Sequence, residues 1–178
     1  IAIGRYAARC SKVYPSGYSN VFIGDGAGNK FCRGQGNVVI GHEALYGGLA
    51  EQEEVDNGIF IGQYAGKCMC SGASDIWLGC KVGFGVTHSN GNNLWIGTYA
   101  GGGSGTSVGT QNIFIGNSAG KDITSGNRNT FMGPYSGFKI TSGSYNAAYG
   151  RGAGQLLETG SSNTFIGRYA GLVTQSGY

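Results

Sequence analysis

The residues of this chain that could do chemistry fall into a few groups. Glu51, Glu53, Glu54 and Asp56 crowd one short segment. Neighbouring carboxylates can serve glycoside hydrolysis or ligate Ca2+, but no aromatic groove is written beside them, and the segment reads as a solvated loop. Cys68, Cys70 and Cys80 with His42 or His88 have the ligand types of a zinc site. Their spacing matches no zinc knuckle, so they read as free thiols or disulfide partners. Neither histidine accompanies a recognisable Ser or Cys nucleophile motif, which argues against a catalytic triad. Gly24-Asp-Gly-Ala-Gly28 has the composition of a phosphate loop. Such a loop must lead into a helix N-terminus, whereas the surrounding pattern gives strand and turn. The expectation is a protein without catalytic, cofactor-binding or metal residues and without a cofactor.

Composition narrows the class. Of 178 residues 37 are Gly and 2 are Pro, with 12% charged, 40% hydrophobic and 12% aromatic. Collagen needs Gly at every third position and far more Pro. A coiled coil would not tolerate so much Gly, and a disordered tail would carry more charge and fewer aromatics. A net charge of +3 is too small to imply a nucleic-acid partner. No apolar run is long enough to insert into a membrane, and no signal peptide or starting Met is visible, so the chain reads as a mature product or as part of something longer.

The elements that must position these groups are set by a repeat. Short apolar triplets end on an anchor glycine at positions 4, 24, 41, 62, 79, 97, 116, 133, 150 and 167, with spacings of 17 to 21 residues. The unit reads Asn-aliphatic-aromatic-Ile-Gly-x-Tyr-Ala-Gly. Asn precedes the triplet at 20, 37, 93, 112, 129, 146 and 163, and a second apolar position falls seven after the anchor at Phe31, Met69, Val86, Ile123, Ile140 and Leu157. β-branched and aromatic residues bounded by Asn and Gly make a short strand between turns. One such unit cannot bury its own strand, but stacked copies can. The whole chain, residues 1–178, is therefore expected to be a single all-β domain, a parallel β-solenoid of about ten coils. Each coil carries one firm strand, a weaker one near the seven-after position, and an Asn stacked on its equivalents above and below.

In a three-residue strand the outer two side chains face one way and the middle one the other. The third-position column, Ile3, Ile23, Ile40, Ile61, Leu78, Ile96, Ile115, Met132, Tyr149 and Ile166, is assigned to the core. The middle column, Phe22, Phe60, Trp77, Trp95, Phe114, Phe131 and Phe165, is equally apolar. It is either an association face between chains or is covered by the coil folding back. Tyr6, Tyr64, Tyr99, Tyr135 and Tyr169, two after the anchor, are expected to stack between coils or to offer contacts to carbohydrate or protein.

Asn163-Thr-Phe-Ile-Gly-Arg-Tyr-Ala-Gly171 and Asn112-Ile-Phe-Ile-Gly-Asn-Ser-Ala-Gly120 resemble the Ile-Gly-x-x-Ala-Gly repeats of phage tail fibres, and Ile1-Ala-Ile-Gly4 is similar to the head repeats of trimeric autotransporter adhesins. The resemblance spans all 178 residues. It implies a non-enzymatic structural section of a longer fibre or filament, extracellular, on a cell surface or on a virion, self-associating as a trimer or a head-to-tail filament. A module that binds a host-surface glycan or protein receptor is the alternative.

Cys10 and Cys32 lie six and eight residues after successive anchors, on neighbouring coils. A bridge between them is expected, closing a loop of about 20 residues and constraining the unfolded chain by ~3 kcal/mol. Peptide mapping under non-reducing conditions should recover the two as one linked peptide; both alkylated without reductant would refute the pairing.

Overall fold

The computed structural model describes residues 1–9, 18–31, 33–47, 54–103 and 107–172. The strands are β1 (Ala2–Ile3), β2 (Val21–Ile23), β3 (Val38–Ile40), β4 (Val55–Asp56), β5 (Ile59–Ile61), β6 (Gly72–Ala73), β7 (Ile76–Leu78), β8 (His88–Ser89), β9 (Leu94–Ile96), β10 (Ser107–Val108), β11 (Ile113–Ile115), β12 (Thr130–Met132), β13 (Ala147–Tyr149) and β14 (Thr164–Ile166). They wind into a parallel β-solenoid of about 9 turns. The triplets form one 10-stranded parallel sheet in the order β1-β2-β3-β5-β7-β9-β11-β12-β13-β14. Pairing is in register, with Phe60 opposite Trp77, Trp77 opposite Trp95 and Phe114 opposite Phe131. At ~4.8 Å per rung the sheet is roughly 45 Å long.

The far side of each coil is less regular. Short strands pair as β4 with β6 and β8 with β10, and Ser71 bridges to His88. These pairs lie beyond the seven-after position, where the second strand was expected. Met69, Val86, Ile123, Ile140 and Leu157 are buried there, but their N–H groups are used in local turns. Met69 N donates to Gly66 O at 3.0 Å, Ile123 N to Gly120 O at 3.2 Å and Ile140 N to Gly137 O at 3.1 Å. A residue whose N–H closes a turn cannot also join an inter-coil ladder.

The two faces of the main sheet are the reverse of the sequence assignment. The middle column points into the coil. Phe60, Trp77, Trp95, Phe114 and Phe131 are fully buried, Phe22 nearly so, and Phe165 in the last rung is half-buried. The rings stack on one another, with centroids 4.5 Å apart for Trp77–Trp95 and 5.2 Å for Phe114–Phe131. The third-position column faces outward. Ile61 is 37%, Met132 39% and Tyr149 40% exposed, Ile3 and Ile166 are more so, and Ile23, Ile40, Leu78, Ile96 and Ile115 are half-buried. The chain thus takes the fold-back alternative, and the middle residues are its core rather than an association face. The third residue after the anchor turns inward beside this column: Ala65, Ala100, Ala119 and Ala153 are fully buried, as are Val82 and Ser136. Large rings, each carrying ~150–250 Å2 of mostly apolar surface, gain most from such burial.

Two glycine positions make this geometry available. The anchors sit at φ between 119° and 141°, and a Cβ on Gly97 would stand 2.5 Å from the carbonyl oxygen of Gly116 in the next coil. Side chains are therefore excluded where the coils approach most closely. The glycine four after the anchor covers the aromatic ring directly: at Gly120, φ is 57° and a Cβ would lie 2.5 Å from Phe114. Coil three supports this reading by exception. Its inward residue is the small Val39, and the covering position is Leu45, fully buried at φ 45°.

Size exchange between these two sites is therefore testable. Phe114→Val alone should cost about 2–4 kcal/mol through the cavity it leaves, and Gly120→Leu alone should be at least as damaging. The double variant, which copies coil three, should be more stable than additivity predicts by about 1–3 kcal/mol in urea melts. Strict additivity would show that Gly120 does not cover Phe114.

Candidate functional surfaces

The groups with catalytic or metal-ligating chemistry are scattered by the fold. Cys68 is exposed, and Cys70 and Cys80 are half-buried. Cys70 Sγ lies 3.4 Å from the carbonyl of Cys68, while Cys80 Sγ faces Gln63 Oε1 at 3.9 Å. His42 packs edge-on against Tyr64 at 5.3 Å, and His88 Nδ1 pairs with Thr87 Oγ1 at 2.8 Å. Among the described residues no three His, Cys, Asp or Glu side chains come together as a metal group. Of the acidic segment, Glu54 pairs with Arg33 at 3.4 Å and Asp56 accepts the Gln35 N–H at 2.8 Å; Glu51 and Glu53 lie outside the described residues, as do Cys10 and Cys32. Gly24–Gly28 forms the corner after β2, not the entrance to a helix.

The outer face of the main sheet is a surface the sequence reading misassigned. Its two ranks are the third-position column and the first-position column Ile1, Val21, Val38, Ile59, Ile76, Leu94, Ile113, Thr130, Ala147 and Thr164. None of these residues is charged. Ten rungs at ~4.8 Å and three residues at ~3.3 Å give a flat face of about 500 Å2 in plan. That is already the size of the largest apolar patch on an ordinary soluble monomer.

A buried polar column runs beside the sheet. Asn37 Nδ2 donates to Asn20 Oδ1 at 3.0 Å, Asn129 Nδ2 to Asn112 Oδ1 at 3.1 Å, and Asn146 and Asn163 continue the series at 3.0 Å each. Each amide also caps a backbone carbonyl, as Asn129 does at Gly143, 2.8 Å away. Such a column is sound only when every group is paired. It is interrupted in the middle, where Gly58 supplies no side chain and Asp75 stands in place of an amide. Asp75 is 1% exposed. Its Oδ1 accepts the backbone N–H of Asn93 at 2.9 Å and its Nδ2 at 3.1 Å, but its Oδ2 has no partner. Burial raises its pKa to about 6, against the opposing hydrogen bonds from Ser89 and Asn93.

Comparison of the chain with protein-family models, curated proteins and solved structures found no match.

The Asp75 carboxyl gives the rod a pH dependence of defined sign. Its folded-state pKa, about 6, lies above the ordinary value of 3.8. The folded chain therefore binds the extra proton between those values, and stability falls as pH rises through that window. A shift of this size corresponds to on the order of 2–3 kcal/mol lost above the window. Asp75→Asn, which restores the amide column, should raise the melting temperature at neutral pH and flatten this part of the stability–pH curve. An unchanged curve would show that the Asp75 carboxyl is not the group responsible.

Proposed function

We propose that this chain is a non-enzymatic structural rod: a section of an extracellular, cell-surface or virion fibre that associates with further copies of itself through the outer face of its main sheet. The observation that carries the reading is the uncharged and mostly aliphatic double rank on that face, with the third-position residues standing about two-fifths exposed at Ile61, Met132 and Tyr149. An apolar sheet face that water wets along ten rungs gains free energy when a second such face covers it. Packed sheets sit ~10 Å apart with side chains interdigitated. A stable interface buries about 800 Å2 per partner, which the sheet and its flanking turns approach. Stiffness along the axis follows from the continuous parallel ladder and the stacked aromatic core. Placement in a fibre outside the cell rests on the likeness of the Ile-Gly-x-x-Ala-Gly units to those of phage tail fibres and adhesin heads.

The second reading, a receptor-binding adhesin module, draws on the cationic and aromatic residues of the turns after the anchor glycines.

Sedimentation tests the first reading. The wild-type chain should sediment as a dimer or trimer of the 18.3 kDa protomer. Ile61→Lys combined with Ile96→Lys should give a monomer that keeps its β-sheet circular dichroism, because both side chains lie on the outer face. A wild-type monomer at all accessible concentrations would overturn the proposal.

A further inference from the structure

Charge is unevenly distributed around the coil. Nine of the chain's 12 Lys and Arg, from Arg5 to Arg168, stand within six residues after an anchor glycine, against only three of its 9 carboxylates, Asp25, Glu43 and Asp122. Stacking the coils lines these turns up as one edge of the rod. That edge carries a net charge of +6 while the rest of the chain carries −3, although the whole has only +3. The cations are held in place by rings. Lys30 and Lys67 lie 5.4 and 5.5 Å from the centre of Tyr46, and Lys121 lies 5.9 and 5.2 Å from Tyr99 and Phe138. Lys81 reaches the Tyr99 ring at 5.2 Å and its hydroxyl at 2.9 Å.

The same edge holds a cavity of about 250 Å3 lined by Arg9, Asn29, Lys30 and Tyr46. These residues come from three successive coils, joined there by Lys30 N to Arg9 O at 2.7 Å and Gly47 N to Asn29 O at 3.1 Å. The cavity offers two cations, an amide and a phenol at the scale of a single sugar ring.

We propose that this edge binds a linear anionic polysaccharide laid along the rod, with one carboxylated or sulfated sugar seated between Arg9, Asn29, Lys30 and Tyr46. The inference is independent of self-association, which concerns the outer sheet face. Cations in eight of the ten turns, missing only after Gly41 and Gly97, suit a flexible linear chain that carries many charges, and long-range attraction favours its approach. The interspersed carboxylates decide the class of polyanion. Asp25, Glu43 and Asp122 hold Arg5, Lys67 and Lys139 at 2.8, 2.6 and 2.9 Å. They can also accept hydrogen bonds from sugar hydroxyls. A DNA backbone, with one phosphate per ~3.4 Å of each strand, carries no hydroxyls to donate to these carboxylates. Single-stranded nucleic acid also stacks its bases on open aromatic faces, and here Lys ammonium groups cover the faces of Tyr46, Tyr99 and Phe138.

Affinity electrophoresis or biolayer interferometry with the full chain tests this, using polygalacturonate, heparin, neutral dextran and oligo(dT) as probes. Polygalacturonate, heparin or both should bind, more weakly as salt rises, and dextran should not bind. The combined Lys30→Gln, Lys81→Gln and Lys121→Gln variant should weaken binding roughly tenfold, at a fraction of a kcal/mol per surface charge. Arg128→Gln, which removes a cation outside this edge, should leave it unchanged. Matching melting temperatures would separate lost binding from lost folding. Three outcomes would overturn the proposal: no binding of either anionic polysaccharide at low salt, a triple variant that binds like the wild type, or oligo(dT) bound as tightly as the polysaccharides.

Discussion

The approach of one coil to the next at the anchor glycine is the constraint on which the rest depends. At Gly97 the backbone of the following coil comes so near that a side chain would stand 2.5 Å from a carbonyl oxygen. That proximity lets triplets of only three residues pair along their whole length, so that ten strands too short to persist alone become one sheet. It also fixes register. With each anchor seated on the next, Phe114 must lie opposite Trp95 and Phe131, and where two neighbouring coils both carry Asn before the triplet, as at Asn112 and Asn129, the two amides meet.

Everything inside the rod then becomes a column, and each column tolerates only what its neighbours can match. The aromatic column accepts Val39 because the covering position adjusts to the fully buried Leu45. The amide column is less forgiving. An Asn both donates and accepts, so it links the coil on either side, whereas Asp75 only accepts when ionised. The consequence is a carboxylate oxygen buried without a partner and a pKa raised to about 6. The amide column resumes on either side of the Gly58 and Asp75 rungs, at Asn37 and at Asn93.

The outside of the rod divides by chemistry along the same axis. Alternation in the triplet sends two aliphatic ranks outward on the main sheet, and the turns after the anchors gather most of the cations on another edge. A solenoid turns small biases in a repeat into long continuous surfaces, since whatever one coil presents the next presents in line with it. Self-association on the sheet and polyanion binding on the turn edge are two proposed uses of that property, and they occupy separate parts of the circumference.

The sequence by itself determined the period, the parallel stacking and the amide column, because Gly and Asn at fixed offsets from the triplet admit few other backbones. It did not decide which side of the triplet faces inward. Both sides of Ile-Phe-Ile are apolar, so burial preference alone gives no sign to the pleat. The sign comes from the turn, which lays its Gly over the middle ring and leaves the outer residues uncovered. The pairing of small Val39 with Leu45, where most other coils pair an aromatic with Gly, is the trace of that packing in the sequence. The turn edge was equally unreadable from the chain order, since Arg9, Lys30 and Tyr46 are far apart in sequence and meet only when three coils stack. Local pattern fixes what repeats; the closure of the coil decides what each repeated residue touches.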